Sequence, residues 1–253
     1  MTIHSKIPSI GLGTYMMSPE EAEEMTYEAI KIGYRHIDTA EVYRNEQGVA
    51  KGIERSLSEG LVSRSELFIT TKVFPGNEIW GQSQKTFDDV TESLDNSLKG
   101  LKLEYVDLYL IHSAHANKTR IEQWKALLEL KSMGKITYAG VANWNIKHLQ
   151  EINDSDLPLP DTNQIELHPW AQQPELVEYL QNNNVHIIAY SSLVPLSTWR
   201  KKDGENSLKT KDMENEGSSV ESLFKILANK YNVKESQILL QWALQLKYAI
   251  LPK

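Results

Sequence analysis

Residues 18–38 read SPEEAEEMTYEAIKIGYRHID, and they set the pattern for the chain. Ser18 is placed as an N-cap, Pro19 at the first helical position and Glu21 at the third. That is a capping box with the proline favoured at a helix start. Ala22, Met25, Ala29 and Ile32 then recur at helical spacing. Gly33 follows where a helix ends most easily, because glycine accepts a positive φ without steric cost. Arg35–Asp38 reads as a short strand that finishes on a carboxylate. The unit is a helix, a glycine stop and a strand.

The same unit recurs in both directions. Upstream, Ile7–Gly13 is a first apolar run. Downstream, Val49, Ile53 and Leu57 mark a helix stopped at Gly60, and Leu67–Val73 a strand. Phe87, Val90, Leu94, Leu98 and Leu101 form a helical stripe with Gly100 near its end, and Val106–His112 is a strand. Ile121, Trp124 and Leu128 mark a helix closed by Gly134, followed by a strand at Ile136–Ala142. A short helix at Ile146–Ile152 precedes a strand at Asn163–Leu167. A helix at Pro174–Gln181 precedes a strand at Val185–Tyr190. Val220–Tyr231 and Glu235–Leu246 are two helical patterns, and Ala249–Pro252 a last strand. Strands alternating with helices imply a parallel sheet. An open doubly wound sheet usually has fewer strands and a glycine-rich phosphate turn. Eight strands in 253 residues favour a single (β/α)8 barrel. Ser197–Ser219 departs from the alternation. It is polar, charge-mixed and aperiodic, and its place after the seventh strand suits a lid-like loop.

Composition narrows the function classes. Hydrophobic residues make up 40% and charged residues 24%, as in ordinary globular proteins. With 27 Lys and Arg against 34 Asp and Glu, the net charge is −7, which argues against a protein that grips nucleic acid. The absence of cysteine removes disulfides, thiolate nucleophiles and zinc-thiolate sites. No signal peptide or membrane-length apolar run is evident, so the expected location is cytoplasmic. Gly11-Leu12-Gly13 lacks the third glycine of a dinucleotide fingerprint. His112 and His115 have no further close ligand set, so no metal site is expected.

In a barrel, polar residues at strand C-terminal ends are the first candidates for chemistry. Here they are Asp38 with Tyr43 in the loop after it, Lys72, His112, Asn143, Gln164 with Glu166 and His168 after it, and Tyr190-Ser191-Ser192. The chemistry that fits is proton donation by a phenol. Free tyrosine has a pKa of about 10, and a nearby ammonium lowers it. Lys72 is expected to supply that charge and Asp38 to orient Lys72. His112 is expected to hydrogen-bond a substrate oxygen or polarise the tyrosine. Such a group suits carbonyl reduction, with Tyr43 protonating the developing alkoxide. Side chains cannot supply a hydride, so a cofactor is required.

GLGTY from Gly11, GYRHIDTAEVYRNE from Gly33, TTKV from Thr70, VDLYLIH from Val106, GVANW from Gly140, NQIELHPW from Asn163 and AYSSL from Ala189 resemble the aldo-keto reductase superfamily. The resemblance covers nearly the whole chain, from about Ile7 to Lys253. It implies a (β/α)8 barrel using NADPH, with NADH as the alternative, and a small carbonyl substrate. It also implies that Asp38, Tyr43, Lys72 and His112 form a catalytic tetrad. By the same resemblance Asn143 and Gln164 hold the nicotinamide carboxamide and Tyr190 stacks on its ring. Ser191 and Leu193 follow the pyrophosphate, and Lys253 lies near the adenosine phosphates. Tyr15 and Trp80 match aromatic positions of the substrate pocket. A monomer without nucleic-acid or membrane partners is implied.

Three departures stand out. Ala142 replaces a common serine, removing one hydroxyl contact to the cofactor. His112-Ser113-Ala114 stands where the family often has His-Trp-Pro, removing an aromatic wall. The sequence given stops at Lys253, before the family's 2′-phosphate arginine, last helix and substrate loop, so the expectation is a barrel lacking its final helix and tail. Two other functions compete with a reductase. One is aldol-type chemistry through a Lys72 Schiff base. The other is a non-catalytic cofactor-binding or interaction protein on the same barrel.

Overall fold

The computed structural model describes Ile3, residues 6–196 and residues 223–253. The expected lid at Ser197–Ser219, and the start of the helix expected from Val220, lie outside the described residues. Eight strands form one parallel sheet in chain order: β1 (Gly11–Gly13), β2 (His36–Asp38), β3 (Phe68–Val73), β4 (Val106–Ile111), β5 (Ile136–Ala142), β6 (Thr162–Glu166), β7 (His186–Tyr190) and β8 (Ala249–Ile250). A parallel bridge between Ile10 and Ile250 joins the last strand to the first. Ile250 N donates to Ser9 O at 2.9 Å and Gly13 N to Pro252 O at 3.2 Å across the same seam. The (β/α)8 barrel read from the alternation is the observed fold.

Helices follow the strands: α1 (Pro19–Lys31), α2 (Glu46–Ser58), α3 (Phe87–Leu101), α4 (Arg120–Ser132), α5 (Ile146–Asn153), α6 (Pro174–Asn182), α7 (Leu223–Tyr231) and α8 (Glu235–Gln245). The capping box at α1 is present, with Glu21 N donating to Ser18 Oγ and Ser18 N to the Glu21 carboxylate. Gly33, Gly60 and Gly134 all have positive φ at helix ends, as local chemistry predicts. Gly100 lies near the end of α3, as expected. The helix runs through it to Leu101, and Lys102 takes the left-handed conformation instead, with φ 54°. The buried face of α1 is also rotated from the expected stripe. Ala22, Thr26, Ala29 and Ile30 are buried, while Met25 and Ile32 face solvent. The reason lies in α2, whose Gly48 and Gly52 let α1 approach so closely that a Cβ at either would strike α1 backbone.

Strand periodicity divides the core in two. Ile37, Ile69, Tyr109, Ile111, Val141, Ile165, Ile187 and Ile250 point outward and pack with the helices. Phe68, Leu108, Leu110, Ala142, Ile188, Ala249 and Leu251 belong to a separate cluster that fills the barrel interior. Successive side chains alternate faces along a strand. Asp38, Lys72, Gln164 and Tyr190 therefore share the inward parity and sit above this plug. Sequence parity plus barrel closure is what aims them at one another.

Candidate active site

Asp38 ends β2, and Lys72 is the penultimate residue of β3. Their side chains are 4% and 0% exposed. Lys72 Nζ donates to Asp38 Oδ1 at 2.5 Å and to Thr39 O at 2.8 Å. Gln164 Nε2, from β6, donates to Asp38 Oδ2 at 2.8 Å. Both carboxylate oxygens are thus acceptors, the pattern of an ionised Asp38. Burial pulls Lys72 toward the neutral form, but Asp38 and Tyr43 outweigh it and its pKa lies above the ordinary lysine value. Burial pushes Asp38 up, against the opposing pull of Lys72 and Gln164.

Tyr43 lies on a 3-10 turn, Glu41–Tyr43, directly after β2, and Arg44 closes the turn with φ 56°. Tyr43 Oη is 3.4 Å from Lys72 Nζ and 3.5 Å from His112 Nε2. His112 follows β4, and its main-chain N donates to Val73 O at 2.9 Å. The structure brings all four residues of the expected tetrad together. It differs on one point. The lysine was expected to lower the tyrosine pKa, but burial raises it above 10 and Lys72 only opposes that rise. The phenol is therefore fully protonated near neutrality, which is the state an acid needs. His112 is depressed to about 3 by burial and then by Lys72, so its imidazole is neutral. His112 Nδ1 is buried with no partner among the described residues. We assign the proton to Nε2, where it faces the Tyr43 oxygen.

The other expected residues fall around this centre. Asn143 follows β5 in the left-handed region, with φ 62°. Its main-chain N donates to Gln164 O at 2.9 Å. Its Nδ2 donates to His112 O at 3.1 Å, and Tyr190 Oη donates to Asn143 Oδ1 at 2.7 Å. Ser191 is also left-handed, with φ 59°. Two non-glycine residues with positive φ, one after β5 and one after β7 on either side of β6, mark constrained backbone of the kind found at ligand sites. Leu193 precedes the 3-10 turn Val194–Leu196. Leu251 N donates to Ala189 O at 3.1 Å, setting the segment that ends in exposed Lys253 beside the strand that ends in Tyr190. Ser192 Oγ is buried there with no partner among the described residues, a polar atom that a ligand along this turn would satisfy.

Tyr15 and Trp80 are 51% and 64% exposed. The Tyr15 ring lies tilted 5.1 Å from that of Tyr43. Trp80 stacks on Phe74 at 6.1 Å and meets His115 at 5.6 Å. Glu166 and His168 pair at 3.0 Å.

Sequence reading missed the groups that hold Tyr43 in place. Asn45 is fully buried and accepts from Thr39 Oγ1 at 2.8 Å. Its Nδ2 donates to Thr14 O at 2.8 Å and Met17 O at 3.2 Å. Glu41 accepts from Phe74 N and from Lys85. An asparagine and a glutamate beside a helix start read as surface polar residues. Their burial depends on partners that lie close only in the folded barrel.

A closed parallel barrel with a phenol, an ammonium, a carboxylate and an imidazole converging at its C-terminal rim defines a (β/α)8-barrel enzyme. The family model described as "Aldo/keto reductase family" matches residues 9–253, and the chain belongs to that family. It is 36% identical over 248 residues to a methylglyoxal reductase of Yersinia pestis, covering 98% of this chain and 78% of that protein. It is 35% identical over 272 residues to an NAD(P)H-dependent D-xylose reductase of Candida tenuis, covering 98% and 80%. Among solved structures, the Bombyx mori aldo-keto reductase in complex with NADP superposes with a TM-score of 0.81 at 31% identity, covering 98% of this chain and 80% of that one. The chain is an oxidoreductase of the aldo-keto reductase type.

Proposed function

We propose that the protein reduces an aldehyde or ketone to an alcohol, using NADPH or NADH, with Tyr43 as the general acid. One observation carries the reading. A neutral phenol stands at the mouth of the barrel with an ammonium 3.4 Å from its oxygen and a neutral imidazole at 3.5 Å. A protonated phenol can give its proton to a carbonyl oxygen that is becoming an alkoxide. Lys72 then stabilises the phenolate left behind, and Asp38 keeps Lys72 charged. His112, through Nε2–H, orients the same oxygen. General acid catalysis of this kind typically contributes about 10²–10⁴-fold.

A reduced nicotinamide supplies the hydride when bound. Asn143, Gln164 and Tyr190 would hold the nicotinamide, and Ser191, Leu193 and Lys253 the phosphates. The strained backbone at Asn143 and Ser191 and the unpartnered Ser192 hydroxyl fit a ligand running along that edge. Tyr15 and Trp80 are exposed rings suited to wall the substrate. A Schiff-base role for Lys72 is disfavoured, because the amine is buried and held as an ammonium by Asp38.

The test follows loss of reduced nicotinamide absorbance with a panel of aldehydes, ketones and dicarbonyls, using both cofactors. Turnover that disappears in Tyr43→Phe supports the reading. Cofactor binding without turnover on the whole panel would favour a non-catalytic binding protein instead.

A further inference from the structure

Among the described residues the Tyr43 phenol oxygen has only long polar contacts, at 3.4 and 3.5 Å, and these by themselves hold it weakly. Its 3-10 turn has no side-chain cap. What does anchor the turn is Glu41, two residues before Tyr43. Glu41 Oε1 accepts from Phe74 N at 2.6 Å and from Lys85 Nζ at 2.7 Å. Phe74 is two residues after Lys72, at the first position beyond β3. The carboxylate therefore spans from the turn that carries the phenol to the strand end that carries the ammonium. Lys85 is itself fixed, donating to Ser93 Oγ at 2.6 Å, and its main-chain N donates to Pro75 O at 2.9 Å. The Glu41 and Lys85 side chains are only 22% and 25% exposed.

We propose that Glu41 is a positioning residue that sets the separation between the Tyr43 phenol and the Lys72 ammonium through its clasp on Phe74 N and Lys85. This rests on Tyr43 being the general acid. Without the clasp, Phe74 N loses its acceptor and the turn is free to move away from β3. At 3.4 Å there is little slack, and a displacement of about 1 Å is enough to cost on the order of 100-fold in rate. Glu41 acts through Tyr43 and does not touch the reacting atoms.

The experiment measures kcat, KM and the pH dependence of kcat for wild type, Glu41→Ala and Glu41→Gln, with Tyr43→Phe run alongside. The groups facing Tyr43 are Asp38 from β2, Lys72 from β3, His112 after β4 and Tyr15 after β1, and all are retained. Glu41→Ala is expected to lower kcat about 10- to 100-fold with little change in cofactor affinity. The alkaline limb of its kcat profile should move to higher pH, because a more distant Lys72 lowers the phenol pKa less. Glu41→Gln keeps an acceptor for Phe74 N and should recover most of kcat and the wild-type limb. Wild-type kcat and an unmoved limb in Glu41→Ala overturn the proposal. If Glu41→Ala does not fold, Lys85→Met carries the test, and the same upward shift of the limb with a smaller loss of kcat is expected. An unchanged profile in Lys85→Met then overturns the proposal. An active Tyr43→Phe overturns the general-acid reading itself; an inactive one beside an unaffected Glu41→Ala overturns only the role of Glu41.

Discussion

Replacing Lys72 by Met removes the charge while keeping a chain of similar length, and the structure allows both consequences to be sized. The first concerns the reaction. Lys72 Nζ lies 3.4 Å from the Tyr43 oxygen, with a side chain 0% exposed, so solvent screening is small. At an effective dielectric of about 20, a full charge pair at that distance is worth about 5 kcal/mol. With about half the charge developed on the phenol at the transition state, roughly 2.5 kcal/mol is lost, on the order of a 100-fold fall in kcat. The second consequence concerns the fold. Asp38 would remain buried with Gln164 as its side-chain donor, and orphaning one member of a buried pair costs about 3–5 kcal/mol. For a chain of this size that is a fall in melting temperature of roughly 10 °C. Asp38→Asn combined with Lys72→Met removes the orphaned charge, so stability should return while turnover stays low. The assay pairs thermal melts with steady-state oxidation of reduced nicotinamide. A folded Lys72→Met enzyme with kcat within about threefold of wild type would refute the electrostatic role.

Tyr43→Phe should lose about 10²–10⁴-fold in kcat while fluorescence titration shows unchanged cofactor affinity. Wild-type turnover in that variant would remove the assigned acid. His36 and His112 are both depressed to about 3, in each case first by burial. The unfolded chain takes up these protons below about pH 6.5 and the folded chain does not. Their stabilising contribution is therefore complete above about pH 6.5 and drains away as pH falls toward 3, with about 2–3 kcal/mol lost per histidine by pH 4.5. Denaturant midpoints at pH 7.5 and 4.5 should differ accordingly, and His36→Gln should narrow the gap; an equal gap in the variant would contradict the assignment. Gly48→Ala places a Cβ 2.0 Å from Pro19 O, against backbone that cannot yield by rotation. The expected cost is about 3 kcal/mol or more by chemical denaturation, and a neutral effect would mean that α1 and α2 are free to separate.

Much of this protein is legible one segment at a time. The capping box at Ser18 and the glycine stops at Gly33, Gly60 and Gly134 are local events, made by residues within a few positions of one another. Gly100 shows the limit of local rules. It lies near the end of α3, as expected, but the left-handed residue that closes the helix is Lys102. The neighbour that a Cβ at Gly100 would meet is the side chain of Glu46 on another helix, which no local reading supplies. The same holds for Met25 and Ile32, which have helical spacing but lie on the face that α2 leaves to solvent.

The alternation of elements and the kinds of chemistry gathered at the strand ends are legible in the chain alone. These follow from periodicity and residue type, which neighbouring positions carry. Tertiary structure alone decided the distances and the ionisation states. Asp38 and Gln164 are 126 positions apart and meet at 2.8 Å because eight staggered strands close on themselves. Burial, a property of the packed barrel, keeps the Tyr43 phenol protonated and the His112 imidazole neutral where the sequence suggested only an activating lysine. The Glu41 clasp belongs to the same class. Glu41 and Lys85 are ordinary surface residue types, and Phe74 offers only a main-chain N–H, until folding brings two strand ends together.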